Sequence, residues 1–106
     1  MSGFDLEGLT DMLGGFQQQL ESLKAQVAKS EHTGESGGGV VKVTATGENK
    51  IVSISIAEAA MADRELLEDL VRAAANEALR KAQDASASTL SKLADQLPLP
   101  PGILGR

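Results

Sequence analysis

One stretch constrains this chain more than any other. Val40-Val41-Lys42-Val43-Thr44 is a β-branched run, Gly47-Glu48-Asn49-Lys50 carries turn residues, and Ile51-Val52-Ser53-Ile54-Ser55-Ile56 is a second run of strand type. If Gly47 faces Lys50, then Ala45 opposes Val52, Thr44 opposes Ser53, Val43 opposes Ile54, Lys42 opposes Ser55 and Val41 opposes Ile56. Every pair is apolar with apolar or polar with polar, which a hairpin with one dry face requires. A slip of one residue destroys the match. Upstream, Thr33-Gly34-Glu35-Ser36-Gly37-Gly38-Gly39 holds too much glycine for a helix. His32 to Glu35 can form a short third strand on the hairpin's edge, with the three glycines as the turn, where they admit positive φ. A phosphate loop is excluded because a strand follows, without the Lys, Ser/Thr and helix such a loop needs.

Long helices flank this centre. Leu6, Leu9, Leu13, Phe16, Leu20, Leu23 and Val27 recur at alternating spacings of 3 and 4. That pattern is a heptad seam, and the reading preferred is a seam between subunits. The plainer alternative is an amphipathic helix packed on its own sheet. Gly14-Gly15 interrupts it at a cost of about 2 kcal/mol against alanine, so a bend or a close helix approach is expected there. After Ile56, residues 57–62 form a short connector with room for a helical turn. Asp63 is a good N-cap. An apolar stripe then runs through Leu66, Leu67, Leu70, Val71, Ala74, Ala78, Leu79, Ala82, Ser86, Leu90, Leu93 and Leu97, and its alanines permit another backbone to come close. Pro98 ends the helix. The expected order is a helix over about 5–30, a sheet over 32–56, a helix over 63–97 and a Pro-rich tail over 98–106, all in one domain.

Helix length bears on assembly. A helix from Asp63 to Leu97 is roughly 50 Å long at about 1.5 Å per residue, whereas a compact chain of this size has a radius of gyration of about 13 Å. The helix therefore projects from the globule or lies along a partner. The only aromatics are Phe4 and Phe16, so one subunit has little bulk for a core. Both features point to an α+β protein that pairs as a homodimer with projecting helices.

Chemistry is sparse. There is one histidine, no cysteine and no tyrosine. His32, Glu35 and Ser36 lie on one short segment, whereas nucleophile and base normally converge from separate elements. No metal cage can be assembled from these spacings, and a non-enzyme with no cofactor and no small-molecule substrate is expected. The missing cysteines fit a reducing cytoplasm. No apolar run is long enough to cross a bilayer, and the N-terminus does not read as a signal peptide. Pro98 and Pro101 formally match a polyproline ligand, but a helix stop with a tail laid on the domain is preferred.

The net charge of −5 is unevenly spread: −3 over residues 1–31, zero over 32–57, −4 over 58–71 and +2 over 72–106. Glu68 with Arg72, Glu77 with Lys81, Arg80 with Asp84 and Glu21 with Lys24 have the spacing of helix-surface ion pairs. Overall acidity opposes binding to nucleic acid, and the basic last third answers that only in part.

The glycine segment and its strand, Thr33-Gly34-Glu35-Ser36-Gly37-x-Gly39-x-Val41-Lys42-Val43-Thr44, together with the ending Leu97-Pro98-Leu99-Pro100-Pro101-Gly102, resemble the YbaB/EbfC family of bacterial nucleoid-associated proteins. The resemblance covers nearly the whole chain. It implies a small cytoplasmic, nucleoid-bound homodimer that binds duplex DNA with little sequence preference. The residues expected to meet the DNA backbone are Lys24, Lys29, Arg72, Arg80, Lys81 and Lys92. This chain departs from the family in its first helix, which holds Lys24 and Lys29 where lysine-rich sequence is usual. The rival expectation is an acidic helical homodimer that docks a protein partner and never touches DNA.

Overall fold

A computed structural model describes residues 6–95, so residues 1–5 and the Pro-rich tail expected over 98–106 lie outside the described residues. The order is helix α1 (Leu6–Lys29), strands β1 (Glu31–Ser36), β2 (Val41–Thr46) and β3 (Ile51–Ile56), then helix α2 (Arg64–Asp95). A glycine turn at Gly37–Gly39 links β1 to β2, and a short 3-10 segment at Glu58–Ala62 links β3 to α2. The strands form one antiparallel sheet in the order β1-β2-β3. The third strand is therefore present, with the glycines at φ of 61°, 72° and 97° turning the chain between β1 and β2.

The hairpin departs from expectation at its turn. Thr46 N–H donates to the Lys50 carbonyl, and Asn49 N–H donates back to the Thr46 carbonyl. The loop is thus Gly47 to Asn49, three residues rather than two, with Asn49 left-handed at φ 65°. Three-residue loops commonly place their last residue in this way. Ala45 consequently faces Ile51, not Val52, and a bulge next to Thr44 absorbs Val52. Beyond it Thr44–Ser53, Val43–Ile54, Lys42–Ser55 and Val41–Ile56 pair as expected.

α2 packs across β1 and β2. Val41, Val43 and Ala45 are fully buried in one core with Ala74 and Ala78 of α2, and Ala82, four residues further along the same helix face, is fully buried too. Leu67, Leu70, Val71 and Leu79 flank this core. The helix lies unusually close to β1 because Gly34 has no side chain; a Cβ there would overlap the Ala74 carbonyl oxygen and the Ala78 nitrogen. Polar contacts close the same interface. Ser36 Oγ donates to the Leu70 carbonyl at 2.6 Å, Glu35 N–H donates to Glu77 Oε1 at 2.7 Å, and Lys81 Nζ donates to the Thr33 carbonyl at 2.9 Å. Glu77 and Lys81, one helical turn apart, thereby satisfy backbone groups on the outer edge of β1, which an edge strand otherwise leaves unpaired.

The other edge is different. α2 does not extend over β3, and Val52, Ile54 and Ile56 are 53 %, 50 % and 38 % exposed. Asp63 caps α2, its Oδ1 accepting from Leu66 N–H at 3.1 Å. Both helices run past the sheet, giving extents of 76 × 26 × 15 Å and a radius of gyration of 20.8 Å, as the helix length requires. Along the α1 seam, Leu9 and Leu13 are exposed, while Phe16, Leu20, Leu23 and Val27 are half-buried. α1 passes through Gly14-Gly15 without interruption, and nothing lies within 4 Å of a Cβ at either.

Candidate nucleic-acid interface

The six basic residues expected at the site do not form one patch. Arg72 lies in the first third of α2, and Lys92 in its last turn. At about 1.5 Å per residue, these two stand roughly 30 Å apart along the axis. Arg80 and Lys81 are neighbours in sequence but diverge in space. Lys81 turns toward β1, held by the Thr33 carbonyl and 4.0 Å from Glu77. Arg80, midway between the buried Ala78 and Ala82, sits on the opposite side of the helix and is exposed.

Ion pairing separates the six further. Arg72 bonds Asp69 at 3.1 Å rather than Glu68, which instead pairs with Arg64 at 3.9 Å. Both acids fit the helical spacing, and spacing alone does not choose between them. Glu77 and Lys81 pair as expected. The expected Arg80–Asp84 and Glu21–Lys24 pairs do not form. Among the described residues Lys24, Lys29, Arg80 and Lys92 are therefore exposed cations without an ion-pair partner. Lys42, outside the expected set, is exposed and unpaired in the same sense. Its alternation with Val41 and Val43 marks only a solvated strand face, so the sequence carried no signal for it.

Lys24 lies on a groove between the projecting helices. Leu20, Leu23, Val27 and Ala28 of α1 face Ser86, Thr89 and Leu90 of α2 across a space of ≈ 350 Å³. The structure thus brings a basic residue of α1 opposite the stretch of α2 that leads to Lys92, and leaves Arg72 far from both.

The residues considered for catalysis have structural partners. His32 is half-buried with its Nε2 2.9 Å from Ser30 Oγ, Ser36 binds the Leu70 carbonyl, and the Glu35 backbone meets Glu77. Among the described residues no group of three or more His, Cys, Asp or Glu side chains could hold a metal ion. Nor is any described helix long and apolar enough to cross a membrane.

Comparison with known proteins decides the family. The model of the YbaB/EbfC DNA-binding family matches residues 2–97. The chain belongs to the YbaB/EbfC family. The fold is also that of a solved structure, the uncharacterized protein HP0035 from Helicobacter pylori. That likeness has a TM-score of 0.72 and 22% identity over 87% of this chain and 99% of that one. At such low identity it speaks for the shared fold alone. In this YbaB/EbfC chain the glycine motif that carried the resemblance is the seat of α2: Thr33, Gly34, Glu35 and Ser36 all meet that helix.

Proposed function

We propose that this protein is a nucleoid-associated, non-enzymatic DNA-binding protein that grips the backbone of duplex DNA as a homodimer, with little sequence preference. The observation that carries the reading is the set of four exposed, unpaired cations on the projecting helices, Lys24, Lys29, Arg80 and Lys92, in a chain of the DNA-binding family. Cations without an internal partner are free to take phosphates, and phosphate contacts supply non-specific affinity. No aromatic platform for stacking unpaired bases exists in a chain with two Phe and no Trp or Tyr. Binding of this kind places the protein on the nucleoid, in the cytoplasm.

The homodimer is supported by what one chain leaves uncovered. Glu77 and Lys81 close the β1 edge, but β3 ends the sheet with an exposed apolar row. Long exposed edges of this sort template pairing with another chain. A second copy brings the same edge and the same row, so a two-fold contact is self-complementary. It also enlarges a core in which the largest fully buried side chains are two valines. Two copies double every phosphate contact, which offsets repulsion by the acidic body.

A gel-shift titration of duplex DNA at low and physiological salt tests the reading. Retardation of unrelated sequences alike, lost as salt rises, is expected. An intact dimer that retards no duplex at low salt overturns DNA binding and leaves the protein-docking rival.

A further inference from the structure

α1 carries two of the four unpaired cations on the helices, and one joint ties its last turn to the sheet. Of the three strands, α1 meets chiefly β2, and beyond that strand it meets the turn at Gly47. There the Gly47 N–H donates to the Ser30 carbonyl at 3.0 Å. Gly47 also lies directly on the Val27 carbonyl, so a Cβ on Gly47 would overlap that oxygen. The last turn of α1 thus rests on a backbone surface that any side chain would lift.

A polar clasp fixes the same place. Ser30 Oγ donates to the Val27 carbonyl at 2.6 Å and lies 2.9 Å from His32 Nε2. A hydroxyl has one hydrogen. Since Ser30 gives it to Val27, the Ser30 oxygen is the acceptor toward His32, and His32 Nε2 must carry the N–H. Val27, Ser30 and His32 are therefore held in one chain of hydrogen bonds from the end of α1 into β1. His32 sits in a crevice bounded by Leu23, Gln26 and Val27 of α1 and by Ala85 and Thr89 of α2, so the clasp touches both arms of the groove.

We propose that Gly47 and the Ser30–His32 clasp are positioning residues: they set the angle of α1 against α2, and so the span between Lys24 and Lys29 on one arm and Arg80 and Lys92 on the other. The inference rests on the DNA-binding reading for its consequence but not for its geometry. Phosphates along a duplex are fixed in spacing, so cations on two arms engage together only at a matching span.

The chain has no cysteine, so Gln17→Cys and Ser91→Cys, both at exposed positions, give a spin-labelled pair free of background. Diluting the labelled protein with excess unlabelled protein isolates the distance within one chain. Gly47→Ala should shift that distance by several ångström and weaken duplex binding roughly tenfold, as expected when phosphate contacts are misplaced together. Ser30→Ala, which adds no atom, should broaden the distance distribution and weaken binding less. His32→Ala should do the same, and His32→Gln, which keeps an N–H donor, should restore both readings. Gly14→Ala, in open space on α1, should leave the distance unchanged.

An unchanged distance in folded Gly47→Ala overturns the joint; if that variant does not fold, distance distributions in Ser30→Ala and His32→Ala no broader than in wild type overturn it. A shifted distance with unaltered affinity overturns the positioning role. Wild-type protein that retards no duplex overturns that role together with the DNA reading, and the distances alone then report on the joint.

Discussion

Arg80 and Lys81 share a formal charge and a peptide bond, and their surroundings give them different work. Lys81 donates to the Thr33 carbonyl on the open edge of β1. Removing it returns that exposed carbonyl to water, and Lys81→Ala should cost about 0.5 kcal/mol in a urea titration, the low end of the usual net value of such a bond. Arg80 holds nothing in place, so Arg80→Ala should leave the urea midpoint unchanged and weaken duplex binding. Equal loss of stability in both variants would contradict this division. Gly34 is the sharper case. Gly34→Ala drives a methyl group into the backbone of α2 at Ala74 and Ala78, so α2 must move outward. The expected loss is about 1–3 kcal/mol or more, as for other overpacked sites. Thermal unfolding checks it, and a variant as stable as wild type would show that the helix gives way freely.

At the scale of elements, the strands were legible and their joints were not. Alternation fixes which residues of β2 and β3 share a face, and it placed Thr44 opposite Ser53 and Val43 opposite Ile54. It is blind between Ile51 and Val52, because both are apolar and either satisfies Ala45; the left-handed Asn49 made the choice. Gly34 read only as one residue of a short edge strand, because its partners Ala74 and Ala78 lie some forty residues away in sequence. The alanine spacing did announce a close approach, without saying to what. For the basic residues, helical spacing showed which charges were able to pair. Only the structure showed that Arg72 and Lys81 are engaged while Lys24, Lys29, Arg80 and Lys92 are not. The start of α2 was fully readable, since an Asp before a helical pattern has a local purpose. Asp63→Ala should therefore cost about 1 kcal/mol of stability, the usual value of a lost N-cap. Helix content by circular dichroism should fall near the unfolding midpoint without any change in the native spectrum.

The whole molecule poses the question of how an acidic protein holds a polyanion. With a net charge of −5 per chain, pairing two copies doubles the repulsion as well as the contacts. Geometry decides which term dominates at short range. The acidic run, five acids against Arg64 over residues 58–71, belongs to the connector and the first turns of α2, whereas Lys24 and Lys92 lie on the arms that project beyond the sheet. Over most of the 76 Å length these charges are separated by more than the Debye length of about 8 Å at physiological ionic strength. Screening therefore weakens the repulsion from the body before it weakens a direct phosphate contact. Ile54→Lys tests the dependence on pairing. Ile54 is half exposed in one chain, so the substitution leaves the subunit's own core intact and places a charge where a second copy would bury it. Sedimentation equilibrium should then find a folded 11.0 kDa chain in place of a dimer. Its log–log salt slope for duplex binding should be about half that of wild type, because each phosphate engaged adds about −0.9 to the slope and one chain engages half as many. The added lysine makes the result decisive. A charge-only account predicts tighter binding by Ile54→Lys, whereas the paired-arm account predicts weaker binding with a flatter salt dependence.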